Sequence, residues 1–165
     1  DDMTPENIAG MLKIKGLGIA ALTDHNSCEN LPAFFKACEK YAIVPIAGIE
    51  LTTAEDIHVV CLFEELESAM GFSDRIKEHL MKIKNRPQIF GNQIIMGDDD
   101  RPLGTVETLL ISATDLWILE ALKLARAYGA HTHPAHIDRQ ANGIISILGD
   151  IPREYGFDTR KKHHR

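Results

Sequence analysis

One stretch constrains this chain more than any other: Gly18 to Asn26, reading Gly-Ile-Ala-Ala-Leu-Thr-Asp-His-Asn. It is a short apolar run that stops abruptly at Asp24 and His25. A buried strand of a parallel sheet reads as a near-continuous hydrophobic run, and ligand-handling residues in such sheets sit just past the carboxyl ends of the strands. The stretch therefore predicts a buried parallel strand that delivers an acid and an imidazole at its end. Neighbouring Asp and His are also ordinary loop chemistry, so their meaning depends on the rest of the chain.

The chain has 165 residues, 44% of them hydrophobic and 25% charged, which is enough for one domain with a real core and excludes disordered and collagen-like classes. With 24 acids against 18 Lys and Arg the formal net charge is −6. No global basic field gathers nucleic acid, and an anionic substrate must be held locally, by metals or a few cations. Cys28, Cys38 and Cys61 are odd in number and lack Cys-x-x-Cys spacing, so neither a disulfide framework nor a thiolate zinc site is expected. A reducing cytoplasm fits, and the absence of an 18-residue apolar run argues against a membrane span. The chain opens at Asp1-Asp2-Met3 and enters a helix at once, as if cut from a longer sequence.

Thr4-Pro5 predicts a helix start with Thr4 as cap, an apolar stripe of Ile8, Met11 and Leu12, and a stop at Gly16. After the opening strand, residues 30–42 predict a helix with Leu31, Phe34, Phe35 and Cys38 on one side. Residues 43–48 predict a strand continued through Thr52, and residues 57–63 another begun by His58. This order implies βα units and a parallel sheet. Residues 64–84 read as a charged, solvated outer helix. Residues 85–104 read as a loop-rich insertion in which Asp98, Asp99 and Asp100 form a solvated turn. Asp115 is expected to cap a helix ending at Gly129, with Leu116, Leu119, Leu122 and Leu124 along it and the lone Trp117. A strand then begins in the dense segment from Ala130 to Arg139. Residues 141–148 read as a short helix, 151–157 as a turn or strand, and 160–165 as a frayed basic tail with His163 and His164.

Residues of metal-ligand type recur at the strand ends: Asp24 and His25, Glu50, His58, and His136 with His131, His133 and Asp138 nearby. Singly each has a bland reading as a surface or turn residue. At successive strand ends of a βα architecture they converge on one face. Mixed His and carboxylate donors suit zinc, manganese or iron better than magnesium. A carboxylate such as Glu50 can bridge two ions about 3.5–4 Å apart, the arrangement that clamps attacking and leaving oxygens in phosphoryl transfer. A metal-bound water, its pKa lowered from 15.7 toward roughly 7, is then the expected nucleophile. Arg139 is placed either to hold a substrate phosphate bidentately or to pair with a nearby acid.

These pieces resemble the polymerase and histidinol phosphatase (PHP) family of phosphoesterases. The resemblance rests on Met3-Thr4-Pro5-Glu6-Asn7, on Lys15-Gly16-Leu17 leading to Leu22-Thr23-Asp24-His25-Asn26, on Ala47-Gly48-Ile49-Glu50, on Ile57-His58-Val59, and on Pro134-Ala135-His136-Ile137-Asp138-Arg139. It implies a distorted, seven-stranded, TIM-like βα barrel with a site for two to three divalent metals. It implies metal-ligand roles for His25, Glu50 (bridging), His58 and His136, and an orienting role for Asp24 beside His25. The chain departs from the family pattern in lacking a His-x-His strand before Thr4 and an Asp-x-His pair after Arg139. His131 and His133 form a displaced His-Thr-His that is a candidate substitute. At 165 residues the chain is also short of the roughly 250 that a βα barrel takes.

The sequence thus predicts a single incomplete PHP-type domain over 1–159, with an insertion at 85–104 and a tail at 160–165. Its expected function is metal-dependent hydrolysis of a phosphomonoester or nucleotide-type phosphate in the cytoplasm. The alternatives are a catalytically incomplete metal-binding or regulatory module and a polymerase-associated nuclease domain. A small phosphorylated molecule or nucleotide is the favoured partner over nucleic acid, and no membrane is expected. Substrate and oligomeric state are not coded in these motifs.

Overall fold

A computed structural model describes residues 3–157; the basic tail at 160–165 lies outside the described residues. Thr4 is extended and its hydroxyl accepts from the Asn7 N–H at 3.4 Å, with Pro5 at the first turn, so helix α1 runs Pro5–Ile14 as expected. Gly16, at φ +72°, turns the chain toward strand β1 (Ile19–Leu22). Helix α2 (Leu31–Lys40) buries Leu31, Phe34 and Cys38, and strand β2 runs unbroken over Val44–Thr52. Strand β3 (His58–Phe63) and helix α3 (Leu66–His79) follow. A short helical turn α4 (Pro87–Phe90), strands β4 (Ile94–Met96) and β5 (Pro102–Thr105), helix α5 (Ile118–Ala127), strand β6 (His131–Pro134) and helix α6 (Ile144–Leu148) complete the order.

The main sheet has the order β1-β2-β3-β6. Strands β1 and β2 are parallel through the α2 crossover, whereas β3 runs antiparallel to both β2 and β6. The expected all-parallel sheet is therefore mixed. The cause is the brevity of the link from Thr52 to His58, since a parallel crossover needs a dozen or more residues. Here Asp56, at φ +65°, closes a turn in which the Thr53 N–H donates to the Ile57 carbonyl at 3.0 Å. The four strands do not close into a barrel. Among the described residues β1 pairs only with β2, and Ile19 at its start is 58% exposed, so within them it is not the buried strand expected.

Period-two alternation gives this sheet two different faces. Ile49, Leu51, Val59 and Cys61 point to one side, each 0% exposed, and pack against α3 and α5 through Phe72, Ile76 and Leu122. Helix α3 is thus amphipathic and core-bound rather than the solvated outer helix expected. A smaller cluster of Ala9, Phe34, Ala37, Cys38 and Ile43 seats α1 and α2 beside it. The opposite face carries Val44 (59% exposed), Glu50, Val60, His131 and His133, and no helix covers it to the same degree.

Three further expectations change. Residues 85–104, expected to be loop, contain the antiparallel β4–β5 hairpin. Its acidic turn is not merely solvated: Asp98 pairs with Lys36 at 2.7 Å, Asp99 pairs with Lys40, and Asp100 accepts from the Thr4 hydroxyl and from the Glu6 N–H at 3.0 Å. The turn so pins the hairpin across the start of α1 and the side of α2. Asp115 does not cap α5 but meets His79 at 2.7 Å; the Ile118 N–H is satisfied by the carboxylate of Glu55 at 3.1 Å, and the Trp117 N–H by Glu120 at 3.1 Å. No helix among the described residues is long and apolar enough to cross a membrane.

Candidate metal centre

His25, Glu50, His58 and His136 meet at one end of the sheet, each delivered by a different segment. Past the end of β1 the chain stays paired with β2: the Glu50 N–H donates to the Asp24 carbonyl at 3.0 Å and the Asn26 N–H to the Glu50 carbonyl at 3.1 Å, which sets His25 level with Glu50. His58 opens β3 opposite Thr52, on the same face as Glu50. Its N–H donates to the Asn142 carbonyl at 3.1 Å, while its own carbonyl accepts from Ala135 at 3.0 Å, so the loop after β6 brings His136 alongside. Gly143 permits that loop, because a Cβ there would lie 2.4 Å from the Arg139 carbonyl.

The donor atoms are close. His58 Nδ1 lies 2.7 Å from Glu50 Oε1 and 3.2 Å from His136 Nε2, and His136 Nε2 is 3.4 Å from the same Glu50 oxygen. One donor atom each from His25, Glu50 and His58 fit within 4.8 Å of one another. Ring centroids of His25 and His58, and of His58 and His136, are 5.1 Å apart. Nδ1 of His25 and Nδ1 of His136 are buried and lack a hydrogen-bond partner, a costly condition for an imidazole nitrogen. The donor separations resemble the edge of a tetrahedron of ligands around zinc, roughly 3.3 Å from Zn–N distances near 2.0–2.1 Å. Three imidazoles gathered at one carboxylate, with Nδ1 of His25 left unpaired, form a donor set that suits a borderline divalent cation.

Electrostatics prepares the same set. The hydrogen bond from His58 holds the Glu50 carboxyl below its usual range, and burial lowers the His25 pKa, favouring an anionic oxygen beside a neutral imidazole. Burial raises the Asp24 pKa; its carboxylate accepts from Asn30 Nδ2 at 3.2 Å. Asn30 in turn accepts from the Met96 N–H at 2.8 Å, so Asp24 is tied through it to the β4 strand.

The other sequence candidates stand apart. His131 is exposed and reaches Glu64 at 3.8 Å, and His133 faces the Pro134 carbonyl at 3.4 Å, so both turn to local partners and not to the four. Arg139 is exposed, its backbone N–H on the His136 carbonyl at 3.0 Å, and its guanidinium enters no ion pair among the described residues. Asn26 was not singled out by sequence reasoning, yet it builds the site. It is fully buried at φ +50°; its Nδ2 donates to the Leu110 and Ser112 carbonyls at 2.7 and 2.9 Å, and its Oδ1 accepts from the Thr52 N–H at 2.9 Å. The signal available in the sequence was an Asn directly after the ligand-type His, a residue that tolerates the left-handed conformation.

An open α/β sheet with a His-rich donor cluster at one end defines the class: a domain of metal-site architecture. The PHP domain profile matches residues 2–115, and the chain belongs to that family. Among solved structures it is similar to the lesion-specific endonuclease PfuEndoQ from Pyrococcus furiosus, at 18% identity and TM-score 0.61 over 96% of this chain and 36% of that one. It is also similar to a Bifidobacterium adolescentis protein provisionally described as a metal-dependent phosphoesterase, at 13% identity and TM-score 0.55 over 83% of this chain and 63% of that one. The chain thus spans less than two thirds of either. No curated protein matches it.

Proposed function

We propose that this domain is a metal-dependent phosphoesterase that hydrolyses a phosphomonoester or nucleotide-type phosphate. The observation that carries the reading is the contact of His58 and His136 with the Glu50 carboxylate, with His25 beside them and its Nδ1 buried without a partner. Membership of the PHP family and the fold shared with an endonuclease and a phosphoesterase support it. In this reading His25, Glu50, His58 and His136 hold the ions, with Glu50 able to bridge two. A divalent ion bound there supplies Lewis acidity to a phosphoryl oxygen and makes water more acidic. Glu50 supplies the one carboxylate of this donor set. Asp24 orients the turn that presents His25, and Arg139, free of any ion pair among the described residues, is the proposed phosphate holder.

Zinc or manganese added to the metal-stripped protein is expected to bind with a stoichiometry of two and to support hydrolysis of an aryl phosphate. Glu50→Gln is expected to lower both metal affinity and kcat/KM by 100-fold or more, about 2.7 kcal/mol in the rate. No hydrolysis by the metal-loaded protein overturns the phosphoesterase reading. A second reading, a metal-binding module without complete catalytic machinery, is favoured by the unclosed sheet, which leaves the donor cluster beside an open face. A stoichiometry of one or zero with no turnover is its signature.

A further inference from the structure

Strand β4 does more than cross the helices: with residues 106–111, the start of α1 and the Asp24 turn it lines a cavity of about 320 Å³ that His25 borders. That volume falls at the lower end of the range for small-molecule sites, roughly 300–1,000 Å³. Apolar and polar side chains share its walls almost evenly; of the apolar ones Phe90 is 43% exposed and Ile111 52%, and Ile94 lines it too. The charged groups that border it besides the imidazole are two acids, Asp24 and Glu29, and no Lys or Arg among the described residues does so. Glu29 is already paired with Lys77 at 2.8 Å, and Asp24 with the Asn30 amide. An anion placed among the apolar side chains, away from His25, meets no Lys or Arg, and the other charged groups of the lining are acids. An uncharged ring there meets Phe90, Ile94, Leu109 and Ile111 and carries no charge to be left unpaired.

We propose that this cavity receives an uncharged aromatic leaving group, an aryl or nucleobase ring, while the phosphoryl group it carries lies at the His25 end. The word leaving group rests on the phosphoesterase reading; the preference for an uncharged ring over an anionic one does not. Specificity here is a difference of affinities in which the anion-bearing analogue finds no cation and meets like charge from the acids of the lining. The hairpin sets the shape of the cavity, and the ion pairs of Asp98 and Asp99 with Lys36 and Lys40 hold it in place.

Binding of 1-naphthol, 1-hydroxy-2-naphthoate and uridine to the zinc-loaded and the metal-free full chain, followed by ligand-observed NMR, tests this. Naphthol is expected to bind at least tenfold more tightly than its carboxylated analogue in the metal-free chain. Ile111→Lys, at an exposed position that tolerates the change, is expected to weaken naphthol at least tenfold and to reverse the preference toward the naphthoate. Ile19→Lys, on the open sheet face, is expected to leave both unchanged. Uridine binding within about fivefold of naphthol narrows the ring to nucleobases, and naphthol binding alone narrows it to aryl groups; either supports the cavity. Equal or tighter binding of the naphthoate to the unaltered chain, no binding of naphthol or uridine, or loss of binding in Ile19→Lys and not in Ile111→Lys overturns it. A chain that binds naphthol as described yet hydrolyses no metal-assisted ester sinks the phosphoesterase reading while leaving the ring pocket standing.

Discussion

The two faces of the main sheet are built by the same strands and do opposite work. Toward the helices, Ile49, Leu51, Val59 and Cys61 are wholly excluded from water. One residue along in each strand, Glu50 and His58 point the other way, to a face where Val44 is 59% exposed and the imidazoles gather. A period of two therefore separates the residues that stabilise the domain from those that supply its chemistry, without any separation in sequence. A one-residue slip in β2 or β3 would exchange the two sets, so the register that buries the core also aims the donors.

The largest effect separating the faces is expected from Phe72→Ala. Phe72 is fully buried on the helix-covered side, its ring 5.4 Å from Phe63 and 5.9 Å from Tyr128. Truncation is expected to destabilise by about 3–5 kcal/mol, by lost transfer energy and the cavity left behind. Ile19→Ala on the open face is expected to stay within about 0.5 kcal/mol. Urea unfolding of both variants checks the contrast. A cost above about 2 kcal/mol for Ile19→Ala would break it, because the open face would then contribute to packing as the helix-covered face does.

Asn26→Ala sharpens the comparison at the boundary between core and site. The change strands the Thr52 N–H and the Leu110 and Ser112 carbonyls in a buried setting, and it forces a residue with a Cβ but no side-chain hydrogen bond to hold φ +50°. The expected cost is about 1–3 kcal/mol in stability. Because Asn26 adjoins His25, metal affinity is expected to fall with it, which titration of the refolded variant with zinc would read. Unaltered metal binding in a destabilised variant would place Asn26 with the core alone.

The meeting of His25, Glu50, His58 and His136 was more legible in the sequence than the arrangement of the strands. His25, Glu50, His58 and His136 were legible because ligand-type residues at strand ends have a pattern that can be read one segment at a time. The mixed sheet was legible in principle, since five residues between Thr52 and His58 are too few for a parallel crossover, but the apolar runs themselves look alike in either direction. The hairpin at 94–105 was hidden because its strands are three and four residues long and one begins at Pro102. Their order comes from distant partners, Asn30 for the Met96 N–H and α1 and α2 for the acidic turn. His131 and His133 show the limit in the other direction. Their spacing matches a ligand pair and β6 sets them on the open face, but opposite Leu62 and Val60, further along the sheet than His58, where Glu64 and the Pro134 carbonyl are their partners.

The smallest effect concerns the one acid that lies between hairpin and cluster. Burial raises the pKa of Asp24 above its ordinary value, so its charged form is less stable in the folded chain than in the unfolded one. The stabilisation this represents is fully present below the unfolded pKa and is lost as pH rises through the folded pKa. At neutral pH the carboxylate is therefore a modest liability in the metal-free protein. Asp24→Asn keeps the size of the side chain and an oxygen for the Asn30 amide at 3.2 Å. It is expected to leave stability near pH 3 almost unchanged and to raise it slightly at pH 7, a divergence that thermal unfolding across pH would register. In the zinc-loaded protein the order is expected to reverse, because the anionic Asp24 beside His25 favours a nearby cation and the amide does not. A variant that is more stable at pH 7 both with and without zinc would separate Asp24 from the site and assign it to the hairpin alone.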